Sequence, residues 1–175
     1  MTNIHLRELT RDDLPKLNEW RNDPEIIQFL GANFHFIGPA VDAQWFDAYL
    51  VNRSTAVRLA IVVSELNLFV GLINLTAIHA INRSAEFSIM LGNKDFWSKG
   101  VGQKATNLML RHGFNDLNLH RIHLTVLSAN IRAIKLYKNL GFREEGTQID
   151  AIFKEGAFCN LINMALLKNE FNVNR

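Results

Sequence analysis

The run Trp97-Ser98-Lys99-Gly100-Val101-Gly102 sets two glycines and a lysine directly ahead of a segment with helical apolar spacing. Glycines at a helix mouth allow a tight turn and leave several backbone N–H groups bare. Together with the positive end of the helix dipole, those groups suit a pyrophosphate. Farther on, Asn130, Ala133, Leu136-Tyr137 and Gly141-Phe142 place an amide and a phenol on a second helical segment. The combination points to a nucleotide-like ligand. Gly100-Val101-Gly102-Gln103-Lys104-Ala105 also fits a dinucleotide fingerprint. However, Gly100 stands well past the strand ending at Leu91, and no acid closes the next strand at Val126-Leu127-Ser128, so NAD is disfavoured.

These residues need elements to hold them. Val101, Ala105, Leu108 and Met109 recur at i, i+4, i+7 and i+8, which predicts an amphipathic helix from 101 to about 117. Ala85 to Leu91 before it and Arg121 to Leu127 after it alternate as strands. A strand, helix, strand order with the usual right-handed crossover makes those two strands parallel. Asn130 is a good N-cap for a helix carrying Ala133, Leu136, Tyr137 and Leu140, with Gly141 as its terminator.

Ahead of this block, Val57 to Val63, Leu68 to Ile78 and Ala85 to Leu91 read as an antiparallel meander. Ile4 to Leu9 alternates as a strand, and Thr10-Arg11-Asp12-Asp13 offers cap chemistry to a helix with Leu14, Leu17 and Trp20. Pro24 to Pro39 has no clean period, and a helical pattern through Trp45, Phe46, Tyr49 and Leu50 follows. A closing hairpin is expected from Gln148 to Phe153 and Phe158 to Leu167. The large aromatics Trp20, Phe29, Phe34, Trp45 and Phe46 read as core.

The chain has 175 residues, 48% of them hydrophobic and 21% charged, with a net charge of +2, which suits one globular domain. Its Lys and Arg are scattered, so nucleic-acid binding is not expected. The lone Cys159 cannot form an intrachain disulfide and fits a reducing compartment. With no bilayer-length apolar run, the expected location is cytoplasmic, without a membrane partner. On a strand, His120 and His123 would face opposite ways, so no metal is expected.

The glycine run and the Asn, Ala, Leu-Tyr, Gly-Phe series together resemble the GNAT superfamily of N-acetyltransferases, with Trp97 standing where the family carries Arg or Gln. Arg83 to Phe87 and Asn118 to Ile122 look most like its ribosomal-protein and spermidine acetyltransferase branch. The resemblance implies an α/β (α+β) fold: a mixed, mostly antiparallel sheet of six or seven strands flanked by about four helices. It implies acetyl-CoA as co-substrate and transfer of acetyl to a primary amine by direct attack in a ternary complex. The acceptor could be a polyamine, an amino sugar or a protein N-terminus, and a homodimer is possible. Ile89, Met90 and Leu91 would hold the pantetheine arm; Trp97, Ser98, Lys99, Gly100, Val101 and Gly102 the diphosphate; and Asn130 the pantetheine. Lys99, Lys104 and Arg132 are possible phosphate partners. Tyr137 would return a proton to the leaving sulfur, and Glu86, on the same strand face as Ser88, would be the base that deprotonates the amine.

Plainer readings exist for several of these. Tyr137 could be a core aromatic, Glu86 a salt-bridge partner of Arg83, and the whole domain a non-catalytic acyl-CoA sensor. Some of Trp20, Phe29, Phe34, Trp45 and Phe46 could wall the acceptor pocket, and Asp23, Glu25 or Asp47 could meet a cationic amine.

Overall fold

A computed structural model describes residues 2–32 and 36–172, so Phe34 lies outside the described residues. Among these described residues seven strands form one sheet in the order β1-β2-β3-β4-β5-β7-β6. They are β1 (Ile4–Glu8), β2 (Val57–Val63), β3 (Leu68–His79), β4 (Ser84–Leu91), β5 (Arg121–Leu127), β6 (Arg143–Lys154) and β7 (Ala157–Leu167). Only the β4–β5 pair is parallel; every other pair is antiparallel. The expected meander and crossover are both present.

Alternation along the strands divides the core between two faces. On one face Ile73, Phe87 and Ile122 pack against Met109 and Leu110 of α4 (Val101–Arg111) and Ile134 of α5 (Ile131–Asn139). On the other, Ala60, Val62, Leu72 and Met90 meet Leu17 and Trp20 of α1 (Leu14–Arg21), Ile26 of the short α2 (Pro24–Ile27) and Phe46 of α3 (Pro39–Val51). Phe29, expected in the core, is 41% exposed.

The entry to α1 follows from local chemistry. The Asp13 carboxylate accepts from the Thr10 N–H (2.9 Å) and from Arg7 (2.7 Å). Burial alone would raise the Asp13 pKa, but these partners hold it below the usual carboxylate range. No described helix is long and apolar enough to cross a membrane.

Two expected boundaries move. The α-helix from 101 stops at Arg111, and residues 112–116 form one wide π turn closed by Leu117 N–H on His112 O (3.0 Å). Within it Phe114 is fully buried, and a Cβ on Gly113 would lie 2.8 Å from Ile122 Cδ1, so close packing on β5 governs this turn. β6 begins at Arg143 rather than Gln148, and its register shifts twice, between Glu144 and Gly146 and between Gln148 and Ile152. An exposed edge strand broken by bulges carries no clean alternation, which hides it from a periodicity reading.

Candidate active site

The parallel pair β4–β5 is bonded over only three positions, Ser84 to Glu86 against Arg121 to His123. Beyond them the strands part. β4 keeps pairing with β3 as far as Leu91, and β5 keeps pairing with β7 as far as Leu127. A cleft of about 310 Å³ opens in the gap, lined by Ser88, Ile89, Met90 and Leu91 of β4 and by Thr125, Val126 and Leu127 of β5. Its size suits a small-molecule site. Backbone groups on the facing strand edges are the natural partners for an extended polar chain threaded between them.

The glycine turn forms one end. Ser98 and Gly100 adopt left-handed backbone (φ 59° and 77°), which costs a serine about 1 kcal/mol and a glycine little. The turn aims the first N–H groups of α4, which have no helical acceptor, along the wall formed by Gly100 and Gly102. A Cβ on Gly100 would meet nothing within 4 Å, so the space beside it is open. Trp97 donates through Nε1 to the Leu91 carbonyl (2.8 Å), tying the turn to the end of β4. This explains an indole where the family carries Arg or Gln: here the residue is an anchor for the turn.

Asn130 caps α5, its Oδ1 accepting from Ala133 N–H (3.1 Å), while its Nδ2 donates to Phe29 O across the cleft (3.4 Å). Tyr137 projects from the same helix into the cleft, 7% exposed, edge-on to Phe87 at 6.1 Å. Burial pushes its phenol up to about 12, so it carries its proton throughout the neutral range. Gly141 (φ 100°) ends α5 with Phe142 N–H on Tyr137 O (3.0 Å), which fixes the turn that presents the phenol.

Glu86 sits at the crotch of the splay, beside His123 on β5 and directly opposite Thr76 on β3. Because strand side chains alternate, it projects from the sheet face opposite Phe87 and hence opposite Tyr137. Arg83 does not pair with it; that guanidinium bonds the carbonyl and side chain of Asn118.

Most of the residues singled out in the sequence therefore converge: Ile89, Met90, Leu91, Trp97, Ser98, Gly100, Gly102, Asn130 and Tyr137 all line one cleft. Lys99, Val101 and Glu86 are not among its lining residues. Val101 is buried in the core, and Lys99 Nζ lies 5.7 Å from the Phe96 ring centroid. Lys104 is bonded to the Thr2 carbonyl (2.8 Å), leaving Arg132, stacked 5.0 Å from Trp97, as the cation on the cleft wall. Asp23 and Glu25 are both engaged by Lys94, and Asp47 by Arg11.

Phe29 is a wall residue, as one of the large aromatics could be, and Leu30 and Gly31, which no sequence pattern singles out, line the cleft beside it. Lys154, at the tip of the β6–β7 hairpin, donates to the carbonyls of Ile27 (2.8 Å) and Leu30 (3.0 Å) and locks this segment over the cleft. No local pattern could have signalled that bond.

Comparison with known proteins agrees with this geometry. Residues 3–143 match the family model described as the acetyltransferase (GNAT) domain. The chain is 30% identical to the spermidine N(1)-acetyltransferase of Vibrio cholerae over 171 residues, covering 96% of this chain and 95% of that protein. It is 27% identical over 168 residues to the Escherichia coli K12 enzyme of the same name, covering 96% and 88%. The crystal structure of the V. cholerae spermidine N-acetyltransferase in complex with CoA and spermine superposes with a TM-score of 0.89 at 27% identity, over 95% of this chain and 96% of that one. Splayed strands, a glycine turn at a helix mouth and a buried phenol thus coincide with a domain-length match, and the chain belongs to the GNAT family of acetyl-CoA-dependent N-acetyltransferases.

Proposed function

We propose that this enzyme acetylates a primary amine of a small polyamine. The observation that carries the chemistry is the gap between β4 and β5, with Tyr137 on one side of the sheet and Glu86 on the other. The acceptor class is supported by similarity to spermidine acetyltransferases along nearly the whole of both chains.

In this reading the thioester arm lies in the gap along Ile89, Met90 and Leu91, with a backbone N–H of that stretch facing the carbonyl oxygen. The diphosphate rests on the turn from Trp97 to Gly102, and Asn130 holds the pantetheine from the α5 side. A free amine has a pKa near ~10.4, so only about one molecule in 2,500 is neutral at pH 7. Glu86, directly or through one water, takes the ammonium proton. The neutral nitrogen then attacks the carbonyl carbon, the C–N bond forms and the C–S bond breaks. As the sulfur leaves with its electron pair, Tyr137 donates a proton to it; the second proton on the nitrogen, shed through water as the amide forms, restores the phenol, and Glu86 releases the first to solvent. A phenol with so high a pKa is a weak acid toward an ordinary thiol of pKa ~8.5. The nascent thiolate forms in the same desolvated cleft, however, and burial raises its proton affinity too. No enzyme-bound acyl group is required.

The test is acetyl-CoA-dependent thiol release against diamines, triamines, amino sugars and peptides with free N-termini. Turnover confined to amino sugars or peptides would overturn the polyamine assignment, and CoA binding without turnover of any amine would support a sensor. Glu86→Gln should depress the rate most at low pH and least at high pH, where free amine is plentiful. An unchanged pH profile would remove Glu86 as the base.

A further inference from the structure

Three side chains cross the sheet face that carries Glu86 and end in the cleft. Arg58 on β2 stands opposite Asn74 on β3, and Asn74 opposite Ser88 on β4. Arg58 Nη1 donates to Asn74 Oδ1 (3.3 Å), and Asn74 Nδ2 donates to Ser88 Oγ (3.0 Å). Asn74 is buried, and Ser88 lines the cleft.

The direction of this chain follows from chemistry rather than from an assigned amide orientation. A guanidinium has donors and no acceptor, so it can meet only the carbonyl end of the Asn74 amide. The NH₂ end must then face Ser88, whose oxygen accepts. The Ser88 proton is thereby turned away from Asn74 and left to serve the cleft.

A charge stands behind the chain. Arg58 has no carboxylate partner among the described residues; burial and the neighbouring Arg21 both push its guanidinium down, and only Tyr49 opposes them. It lies 4.6 Å from the Trp45 ring centroid, with Nε buried and without a hydrogen-bond partner. The other charged groups nearby are already matched: Asp42 of α3 with Arg21 of α1, and Glu8 of β1 with Arg53 and the Tyr49 hydroxyl. Two strand spacings, roughly 10 Å, separate Arg58 from Ser88.

We infer that Arg58, through Asn74 and Ser88, is a positioning residue that biases the acceptor side of the cleft toward the neutral amine. A hydroxyl that offers its proton can bond the lone pair of a free base, whereas an ammonium has no lone pair to receive it and finds only the one Ser88 lone pair that Asn74 leaves. The unmatched positive charge behind it disfavours the ammonium in the same direction. A neutral hydroxyl is too weak a base to take the ammonium proton, and that task stays with Glu86, two residues back on the same strand face. The inference rests on the amine-acceptor reading above.

The test is kcat/KM against pH, at saturating acetyl-CoA, with an amine the wild-type enzyme turns over. Asn74→Asp accepts from both neighbours, so it turns the Ser88 proton inward and neutralises Arg58. The apparent pKa of the acid limb should rise by roughly half a unit to one unit, and kcat/KM at pH 7 should fall about three- to tenfold. Acetyl-CoA affinity should hold. Arg58→Met and Ser88→Ala should move the limb the same way by less, and Ser88→Thr, which keeps the hydroxyl, should restore it. Glu86 on β4, His123 on β5 and Tyr137 on α5 are the other ionisable groups around this region, and a new carboxylate at 74 or the loss of the Arg58 charge would also strengthen the hold of Glu86 on its proton; the Ser88→Ala and Ser88→Thr pair changes no charge and separates the two causes. Profiles of all the variants that overlay the wild type would overturn the inference, as would losses confined to thermal stability. Should Asn74→Asp not fold, the Ser88→Ala and Ser88→Thr pair decides it. If the wild-type enzyme acetylates no amine at all, it is the functional reading that fails.

Discussion

The stretch from β4 through α5 and the segment from Ile26 to Gly31, which the α1–α3 layer and the β6–β7 hairpin hold in place, wall the same cleft, yet they are held by bonds of different range. On the first side the determinants are local. A left-handed glycine opens α4, Asn130 caps α5 three residues away, and Gly141 closes it just after Tyr137. On the second side they are long-range. Lys154 reaches carbonyls 127 and 124 residues away, Arg21 pairs with Asp42, and Lys94 gathers Asp23 and Glu25. Under the proposed function, cofactor geometry is therefore carried by local backbone conformation. Acceptor geometry in the same proposal depends on individual side-chain pairs that a few substitutions can rewrite.

The largest effect expected from that contrast is at Tyr137. Tyr137→Phe should lower kcat by roughly 10²- to 10³-fold, the range of a positioned proton donor. Acetyl-CoA affinity and melting temperature should stay near the wild-type values, because only an oxygen facing the cleft is removed. A parallel loss of affinity would show that the phenol acts mainly as packing.

The seam between the two sides comes next. A Cβ on Gly92, just past β4, would lie 1.8 Å from Trp20 Cδ2 on α1. Gly92→Ala should therefore destabilise by about 1–3 kcal/mol in urea unfolding, as an overpacked site does. A neutral result would mean that Trp20 is free to move and that the two sides are less firmly joined than the contact indicates.

Lys154→Met tests the long-range side by itself. Loss of the ammonium from the Ile27 and Leu30 carbonyls should raise KM for the acceptor roughly three- to tenfold, as a charged hydrogen bond of partial exposure is lost. Acetyl-CoA affinity should change less than about twofold, and amide exchange at residues 28–31 should quicken. Equal changes in both ligands would dissolve the division between the two sides.

The smallest effect is spectroscopic. The chain has two tyrosines, Tyr49 and Tyr137, and burial raises both above the usual value of ~10. Native protein at pH 10 should therefore show little tyrosinate absorbance. An unfolded chain gives up these protons near pH 10 while the native one holds them, so the stability they confer is present below pH 10 and lost as pH rises toward about 12. Tyr137→Phe should remove the component near 12, and a wild-type titration with both midpoints at 10 would place the phenol in solvent.

The legible part of the site is the part with short-range causes. The cap at Asn130, the stop at Gly141 and the turn at Gly100 could be read from neighbouring residue types, and the meander from alternation. Lys99, Val101 and Lys104 shared the same stretch, but the turn sends their side chains to an aromatic ring, the core and the Thr2 carbonyl. Sequence proximity to a phosphate turn does not specify which way a side chain leaves it. The early end of α4 was equally hidden, because the wide turn at 112–116 answers to the close packing of Gly113 against Ile122.

By itself the amino-acid sequence determined the order of elements, their caps and the two glycine-dependent turns, since backbone dihedrals and hydrogen bonds within a few residues settle those. Only the tertiary structure decided where β4 and β5 part, which faces Glu86 and Tyr137 take, and that Phe29 to Gly31 is latched over the cleft by Lys154. Those outcomes depend on strand register and on contacts between residues more than a hundred positions apart, and no local pattern encodes them.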